Sequence, residues 1–470
     1  MAETLQCDVA VIGAGTAGLA AERAARANGA STLLIDPYYS GTTCATVGCM
    51  PSKLLIAASH AAHAARSTDM FGITVSDVAI DGKAVLQRVR DERDRFARLT
   101  RESIDDIPAG IRLSGKAKFV APDRLELDDG RQIKARSIVI ATGSTPFVPG
   151  EFAGLGKRLL TTESIFELPD LPERLGVVGS GAIGLELAQA MARLDVDVTL
   201  FDHGEQLGGI RCPKVHDALK AIIEADLTLK LGVELEVKAA DDGVTLAWDG
   251  ASSGQGDFDY VLIATGRPPN LESLNLSATG LELDDDGVPV HDRDSMQCGE
   301  SSTFLAGDLA NDLPLLHEAS QDGAIAGRNA VAFPASTHAE RFTPFSIIFT
   351  SPPVARIGQS EDDGVITGTA DFSDQGRARV EGVNEGVLTL YAAAPDGRLI
   401  GADLCTPASE HLAHMLAWAI QQGQTATQLL EMPFYHPTIE EGLKQALRTI
   451  CAATPLELPE NQDRGVPAGA

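Results

Sequence analysis

The chain is short of positive charge. Its 470 residues carry 38 lysines and arginines against 66 aspartates and glutamates, a formal balance of −28 at pH 7 with histidine neutral. A surface of that sign repels phosphate backbones and anionic headgroups, which argues against nucleic acid and membrane surfaces as partners. No apolar run approaches the roughly 18 residues of a membrane span. The opening MAETLQCDVAVIG has no basic segment before its short apolar stretch, so no signal peptide is expected. The expected location is the cytoplasm, where thiols stay reduced unless they cycle. Cysteine is also sparse: of the seven (Cys7, Cys44, Cys49, Cys212, Cys298, Cys405 and Cys451) only Cys44 and Cys49 are close neighbours. A structural zinc centre needs a second pair or a Cys/His cluster at ligand spacing, and with neither in the sequence no metal is expected. A secreted disulfide framework is excluded by compartment and size. What remains for Cys44 and Cys49 is a pair that opens and closes during turnover.

The rest of the composition, 44% hydrophobic and 22% charged, is that of a soluble globular protein long enough for about three domains. The acidic excess reads as a solvated coat suited to a salty cytoplasm. One pattern occurs twice. Residues 7–36, CDVAVIGAGTAGLAAERAARANGASTLLID, read strand, glycine turn, helix, strand, with Gly13, Gly15 and Gly18 in the turn and Asp36 at the end. Residues 175–202, LGVVGSGAIGLELAQAMARLDVDVTLFD, repeat it with Gly179, Gly181, Gly184 and Asp202 at the same interval. In such a unit the first glycine makes a tight turn, the second admits a pyrophosphate, and the third lets helix pack on strand. The helix N-terminus receives the phosphates and the acid accepts from ribose hydroxyls. Two units imply two dinucleotides. Each half adds a later strand ending in Ala-Thr-Gly, at 137–150 and 260–270, and TFLAGDLA closes another strand on Gly307 and Asp308.

The cysteine pair lies in GTTCATVGCMPSK (41–53), a glycine-dotted loop entering a helix that the sequence opens at Pro51, with Lys53 in its first turn. Free N–H groups and partial positive charge at a helix N-terminus favour thiolate, and thiolate is the species that exchanges with disulfides. A charged helix is expected at 82–105, its charges a solvated face. Strands follow from about 345, then helices near 408–421 and 438–451 and a polar tail at 454–470. His60, His63, His411 and His414 lack metal-helix partners and read as packing or surface residues.

In order, GAGTAG with Asp36, CATVGC-MPSK, GSGAIGLE with Asp202, ATGRPPN, LAGD and FYHPTIEEG make the chain resemble the flavoprotein disulfide reductases from about residue 7 to 450. The resemblance implies an α/β fold with two Rossmann-like domains and a C-terminal α+β dimerisation domain. It implies an FAD part at 1–150, an NAD part at 151–270, a central segment at 271–343 completing the FAD fold, an interface domain at 344–453 and a tail at 454–470. It implies one FAD per subunit, NAD and a homodimer. Cys44 would be the interchange thiol, Cys49 its partner against the flavin, and Lys53 would pair with Glu186. His436, oriented by Glu441, would act as base in the partner subunit's site. FAD contacts would fall at Gly13, Gly15, Gly18, Asp36, Thr43, Lys53, Ala117, Thr142, Gly143, Gly307, Asp308 and His317. NAD contacts would fall at Gly179, Gly181, Gly184, Asp202 and Gly266.

Asp202 repels a 2′-phosphate, and no arginine follows until Arg211, so NAD is expected over NADP. Mercuric reductases end in a vicinal cysteine pair, whereas here only Cys451 lies near the end. Glutathione reductases bring basic residues that are not evident here. The resemblance therefore implies a dihydrolipoyl dehydrogenase taking a small dithiol such as dihydrolipoamide. The chain departs from the family at GTTC, where two glycines are usual, at Thr46, where asparagine is usual, and in the flank FYHPTIEE. The alternatives are a reductase of another disulfide, a quinone or a metal ion, or a non-catalytic redox-sensing subunit.

Overall fold

The computed structural model describes residues 4–240, 242–360 and 364–454. Its first sheet is built on strands β1 (Thr4–Ile12), β2 (Thr32–Asp36), β3 (Arg112–Ser114), β4 (Ala117–Ala121), β5 (Arg124–Leu127) and β6 (Gln132–Ile140), in the order β3-β2-β1-β6-β5-β4. The first three and β6 run parallel, while β5 folds back antiparallel on β6 and β4 antiparallel on β5. Helix α1 (Thr16–Ala27) crosses from β1 to β2. The nucleotide unit repeats in a second sheet. Strands β7 (Leu159–Leu160), β8 (Arg174–Val178), β9 (Asp197–Asp202), β10 (Thr228–Leu231) and, after an antiparallel trio β11 (Val233–Ala240), β12 (Gly243–Gly250) and β13 (Gly254–Phe258), β14 (Tyr260–Ile263) give the order β10-β9-β8-β14-β7. Helix α5 (Ala182–Arg193) crosses from β8 to β9.

Between β2 and β3 run α2 (Thr43–Thr46), α3 (Cys49–Arg66) and α4 (Gly82–Asp105), and the second unit adds α5 (Ala182–Arg193) and α6 (Pro213–Asp226). The charged helix expected at 82–105 is α4, capped by the Asp81 side chain accepting from the Ala84 N–H. Helix α3 opens two residues before the proline the sequence pointed to. Gly48 ends the preceding loop without a side-chain cap, so nothing in the residue types marks the start. The first turn of a helix has no intrahelical N–H bonds to lose, so Pro51 sits inside it as easily as at its first position. The shift puts Cys49 itself at the helix N-terminus.

After the second sheet, β15 (Thr303–Leu305) pairs with β6 in the first, and α7 (Leu316–Ala332) packs on α1. The contact is backbone to backbone. A Cβ on Gly323 would stand 2.1 Å from the Ala17 carbonyl oxygen, and one on Gly327 2.3 Å from that of Ala21. The third unit is an antiparallel sheet of β16 (Phe345–Ile348), β17 (Val354–Gly358), β18 (Val365–Asp371), β19 (Val387–Ala393) and β20 (Arg398–Cys405), ordered β16-β17-β20-β19-β18. Helices α8 (Gly376–Glu381), α9 (Ser409–Gln421), α10 (Ala426–Leu430) and α11 (Leu443–Ala453) complete it.

The sequence read one helix over 438–451, and the structure divides it. Residues Ile439–Gly442 form a tight 3₁₀ turn, because Thr438 and Glu441 cap each other across it. Helix α11 then starts at Leu443. The expected tail lies outside the described residues apart from Thr454. No helix among the described residues is long and apolar enough to cross a membrane.

With its excess of 28 negative charges the folded chain repels itself. Its melting temperature is therefore expected to rise from about 0.1 M to about 1 M KCl, as the screening length falls from about 10 Å to about 3 Å. Thermal scans across that range check this, and a flat response would rule out self-repulsion as a term in stability.

Candidate functional site

Both glycine turns have the same design. Gly13 and Gly179 hold φ of +105° and +107°, and a Cβ on either would lie 2.3 or 2.4 Å from a carbonyl oxygen of the neighbouring strand end, Ala141 or Ala264. The third glycines are as tight, since a Cβ on Gly18 or Gly184 would meet the Gly13 or Gly179 carbonyl at 1.8 or 1.9 Å. The middle pair differs. A Cβ on Gly15 or Gly181 would meet nothing of this chain within 4 Å. Packing does not require glycine there; a group from outside approaching the backbone would. Each lies at the N-cap of a twelve-residue helix with no side-chain cap and no acid in its first turn. Two helix N-termini are thus open to an anion.

The acids close these turns. Asp36 Oδ2 accepts from the Ala14 N–H at 3.0 Å, and Asp202 Oδ2 accepts from the Ser180 N–H at 2.6 Å and its hydroxyl at 2.7 Å. Thr142 and Gly143 lie on the loop after β6, fastened by Asn270: Thr142 Oγ1 donates to the Asn270 carbonyl, Asn270 Nδ2 donates to the Thr142 carbonyl, and the Asn270 N–H donates to the Gly143 carbonyl. Gly266 precedes Asn270 on the matching loop after β14, and a Cβ on it or on Gly143 would meet nothing within 4 Å. Asp308 accepts from the Ser144 hydroxyl at 3.1 Å, and Arg267 donates to the Ser144 carbonyl at 2.7 Å. Asn270, Ser144 and Arg267 were not singled out from the sequence, although all three sit in the two Ala-Thr-Gly stretches quoted there. A Cβ on Gly307 would stand 2.7 Å from the Ala17 side chain, so this glycine serves the packing of β15 on α1. Ala117 is buried at the head of β4. His317 stacks on Phe345 with ring centres 5.0 Å apart. The cradles, open helix ends and acids fit two dinucleotides.

Cys44 sits in α2 and Cys49 opens α3. The Gly48 N–H donates to the Thr43 carbonyl at 2.8 Å, and the Val47 N–H does so at 3.0 Å. That knot turns the chain so that the two side chains face each other. A Cβ on Gly48 would press on the Thr43 carbonyl at 3.1 Å and on the Cys44 Cα at 3.5 Å, so the turn favours a residue without one. Both sulfurs are free thiols, Cys44 half-buried and Cys49 exposed. Their acidities are pulled apart. Cys49 is held down to about 7, first by the facing Cys44 thiol and, against the cost of burial, by the Lys53 charge. Cys44 is pushed up by the same facing contact, by burial and by the Cys49 charge. In the dithiol form the negative charge therefore rests on Cys49.

Helix α3 lies against α5 with Leu55 and Ile56 in one apolar cluster with Leu185 and Ala188. That packing sets Lys53 Nζ 2.7 Å from Glu186 Oε2, while Glu186 Oε1 accepts from the Phe349 N–H at 2.9 Å. The ammonium also stands 4.6 Å from the centre of the Phe349 ring. Glu186 is 5% exposed. Lys53→Met is expected to raise the midpoint of Cys49 alkylation above about 7, since it deletes a charge that favours the thiolate. Iodoacetamide rates against pH measure this, and an unmoved midpoint would contradict it.

His436 and Glu441 meet on the third unit. The imidazole Nδ1 is 2.8 Å from Glu441 Oε2, with the ring exposed and the carboxylate buried. Burial pushes the Glu441 carboxyl upward, but Lys444, His436 and the Thr438 N–H outweigh it, and the net shift is below the ordinary value. Its ionised form therefore contributes stability above the ordinary carboxylate range, and that contribution is lost as pH falls through the lowered value. Among the described residues of one chain, no hydrogen bond joins His436 to Cys44 or Cys49. The structure thus assembles Cys44, Cys49, Lys53 and Glu186 at one place and His436 with Glu441 at another. His411 and His414 lie on the outer face of α9, where His414 contacts Phe345 and Trp418 edge-on.

The fold and these residues define a thiol oxidoreductase built on two dinucleotide units. The chain belongs to the pyridine nucleotide-disulphide oxidoreductases: that family's description matches residues 7–323, and its dimerisation domain matches residues 344–447. Family members bind FAD, depend on NAD(P)H and pair as dimers through that domain. The chain is 30% identical to the dihydrolipoyl dehydrogenase of Halobacterium salinarum, over 93% of this chain and 95% of that one. It is also 30% identical to the mercuric reductase of Staphylococcus aureus, over 94% of this chain and 82% of that one. Among solved structures it resembles the HOCl-induced flavoprotein disulfide reductase RclA of Escherichia coli, with a TM-score of 0.78, 23% identity and coverage of 94% and 99%.

Proposed function

We propose that the protein oxidises a small dithiol of the dihydrolipoamide class and passes the electrons to NAD⁺, giving a disulfide, NADH and a proton. The observation that carries this is the facing, oppositely shifted pair Cys44 and Cys49 at the head of α3. Bound FAD supplies the two-electron step between the nicotinamide and this pair. The cradles at Gly15 and Gly181 would hold the two pyrophosphates, with Asp36, Thr43, Ala117, Gly143, Asp308 and His317 along the first site and Asp202 and Gly266 along the second. On this reading the division into parts at 1–150, 151–270, 271–343 and 344–453 also holds, and the protein works as a cytoplasmic homodimer.

With the pair oxidised, a substrate thiolate attacks the Cys44 sulfur, the Cys44–Cys49 bond breaks, and Cys49 leaves as the stabilised thiolate. The second substrate thiol then attacks the mixed disulfide, releasing cyclic disulfide and leaving Cys44 and Cys49 reduced. A partner-subunit imidazole, the partner's His436, accepts the substrate protons. Lys53, held by Glu186, keeps a positive charge beside the leaving thiolate.

A metal-ion substrate is the less favoured reading. The one cysteine near the chain end, Cys451, is 2% exposed and its sulfur lies 3.5 Å from the Thr427 hydroxyl, so it is not displayed to a metal. Steady-state rates with dihydrolipoamide, glutathione disulfide and mercuric ion, each with both nicotinamides, test the assignment. The expected result is dihydrolipoamide turnover with NAD⁺ preferred over NADP⁺ by at least about tenfold in kcat/KM, roughly 1.4 kcal/mol. Faster turnover of mercuric ion or glutathione disulfide would overturn the substrate, and a preference for NADP⁺ would overturn the reading of Asp202.

A further inference from the structure

We propose that Lys444 is a positioning residue for the His436–Glu441 pair, fixing the orientation of the Glu441 carboxylate and taking a share of its charge. The inference rests on the reading above, in which His436 accepts a proton from the dithiol.

The two oxygens of Glu441 are divided between an imidazole and an ammonium. Oε2 takes His436 Nδ1 at 2.8 Å, with the Thr438 N–H at 3.4 Å, and Oε1 takes Lys444 Nζ at 3.1 Å. The carboxylate cannot rotate to improve one contact without losing the other. Lys444 is itself held. It lies on α11 one turn beyond Glu441, its side chain is 18% exposed, and its ammonium stands 5.0 Å from the centre of the Phe434 ring. The surroundings add walls and neutral contacts. Gln375 Nε2 donates to the Thr438 carbonyl at 2.7 Å, and the Phe372 ring lies so near Gly442 that a Cβ there would stand 2.4 Å from it. Glu440 is the adjacent acid along the chain, and Tyr435 precedes the histidine.

The contact has a cost and a use. A buried carboxylate with the imidazole as its only side-chain partner would be easier to protonate, and once protonated it would hold the Nδ1–H that fixes the tautomer less firmly. The ammonium prevents that. It also takes a share of the carboxylate's negative charge, so that less of this charge acts on the imidazole ring. Lys444 therefore keeps His436 able to act as a base over a wider range of pH.

The test is the pH dependence of kcat/KM for dihydrolipoamide oxidation by the FAD-loaded dimer, compared for wild type, Lys444→Met and Lys444→Arg. In Lys444→Met the acid-side limb is expected to move up by about one pH unit, so that activity below the limb falls about tenfold while activity on the alkaline side changes little. Lys444→Arg restores the wild-type limb. FAD content and melting temperature serve as controls for folding. A merely structural role would lower activity equally at every pH. An unmoved limb, or one displaced to lower pH, would overturn the inference. His436→Gln separates the two levels: normal dithiol oxidation in that variant defeats the base and this inference with it, whereas an impaired His436→Gln beside an unmoved Lys444→Met limb defeats this inference alone.

Discussion

Cys44→Ser is expected to lose dihydrolipoamide–NAD⁺ activity by at least about a thousandfold, roughly 4 kcal/mol of transition-state stabilisation, while keeping its FAD. Serine is nearly isosteric, but its hydroxyl can neither form nor leave a disulfide. The glycine turns, Asp36 and the Asn270 contacts that shape the dinucleotide cradles do not touch residue 44. Flavin absorbance of the purified variant, steady-state lipoamide kinetics and NADH oxidation by a dye that bypasses the cysteines separate the two effects. Full lipoamide turnover in Cys44→Ser would end the disulfide mechanism. Cys49→Ser should be as inactive with lipoamide. In that variant the thiolate that leaves when the pair opens is itself gone, and Cys44 loses the contact that shifts its own thiol upward.

His436→Gln is expected to cost about 10²- to 10⁴-fold in dithiol oxidation, the usual range for a lost general base. NADH-dependent dye reduction should be untouched, since among the described residues of one chain His436 makes no hydrogen bond with Cys44, Cys49, Lys53 or Glu186. Because its ring is exposed on the unit that matches the dimerisation domain, mixing is the stronger experiment. Refolding Cys44→Ser with His436→Gln subunits forms heterodimers in which one of the two sites has both residues intact, if each site takes its histidine from the opposite subunit. Activity would then return in the mixture of two inactive proteins. A mixture as inactive as its components would place both residues within one chain and overturn the shared site.

Much of the architecture can be read from residue order, because the signals are local. Glycines at a strand end and an acid at the end of the next strand are enough to specify a nucleotide unit, and the second copy repeats the first. The cysteine turn is local too: its closing hydrogen bonds lie within six residues, from Thr43 to Gly48. Other features escaped for physical reasons. The start of α3 at Cys49 carries no capping side chain, so Pro51 was the only local mark. The division before α11 depends on a reciprocal cap between Thr438 and Glu441 that a helical pattern hides. Asn270, Arg267 and Ser144 bind across 123 to 128 positions, a separation at which spacing carries no information. Nothing local in the sequence sets Lys444 apart from other lysines; only the fold brings the Phe434 ring and the buried carboxylate beside it.

Order along the chain determined the two nucleotide units, the neighbouring thiols and the imidazole–carboxylate spacing, since each is fixed by backbone geometry over a few residues. Only the packing of α3 on α5 decided that Lys53 meets Glu186, and only the contact between the facing thiols, with the Lys53 charge beside it, decided which of two chemically identical thiols holds the negative charge. Acidity depends on the distance to partners remote in sequence and on how much water is excluded, and neither exists before the chain is folded.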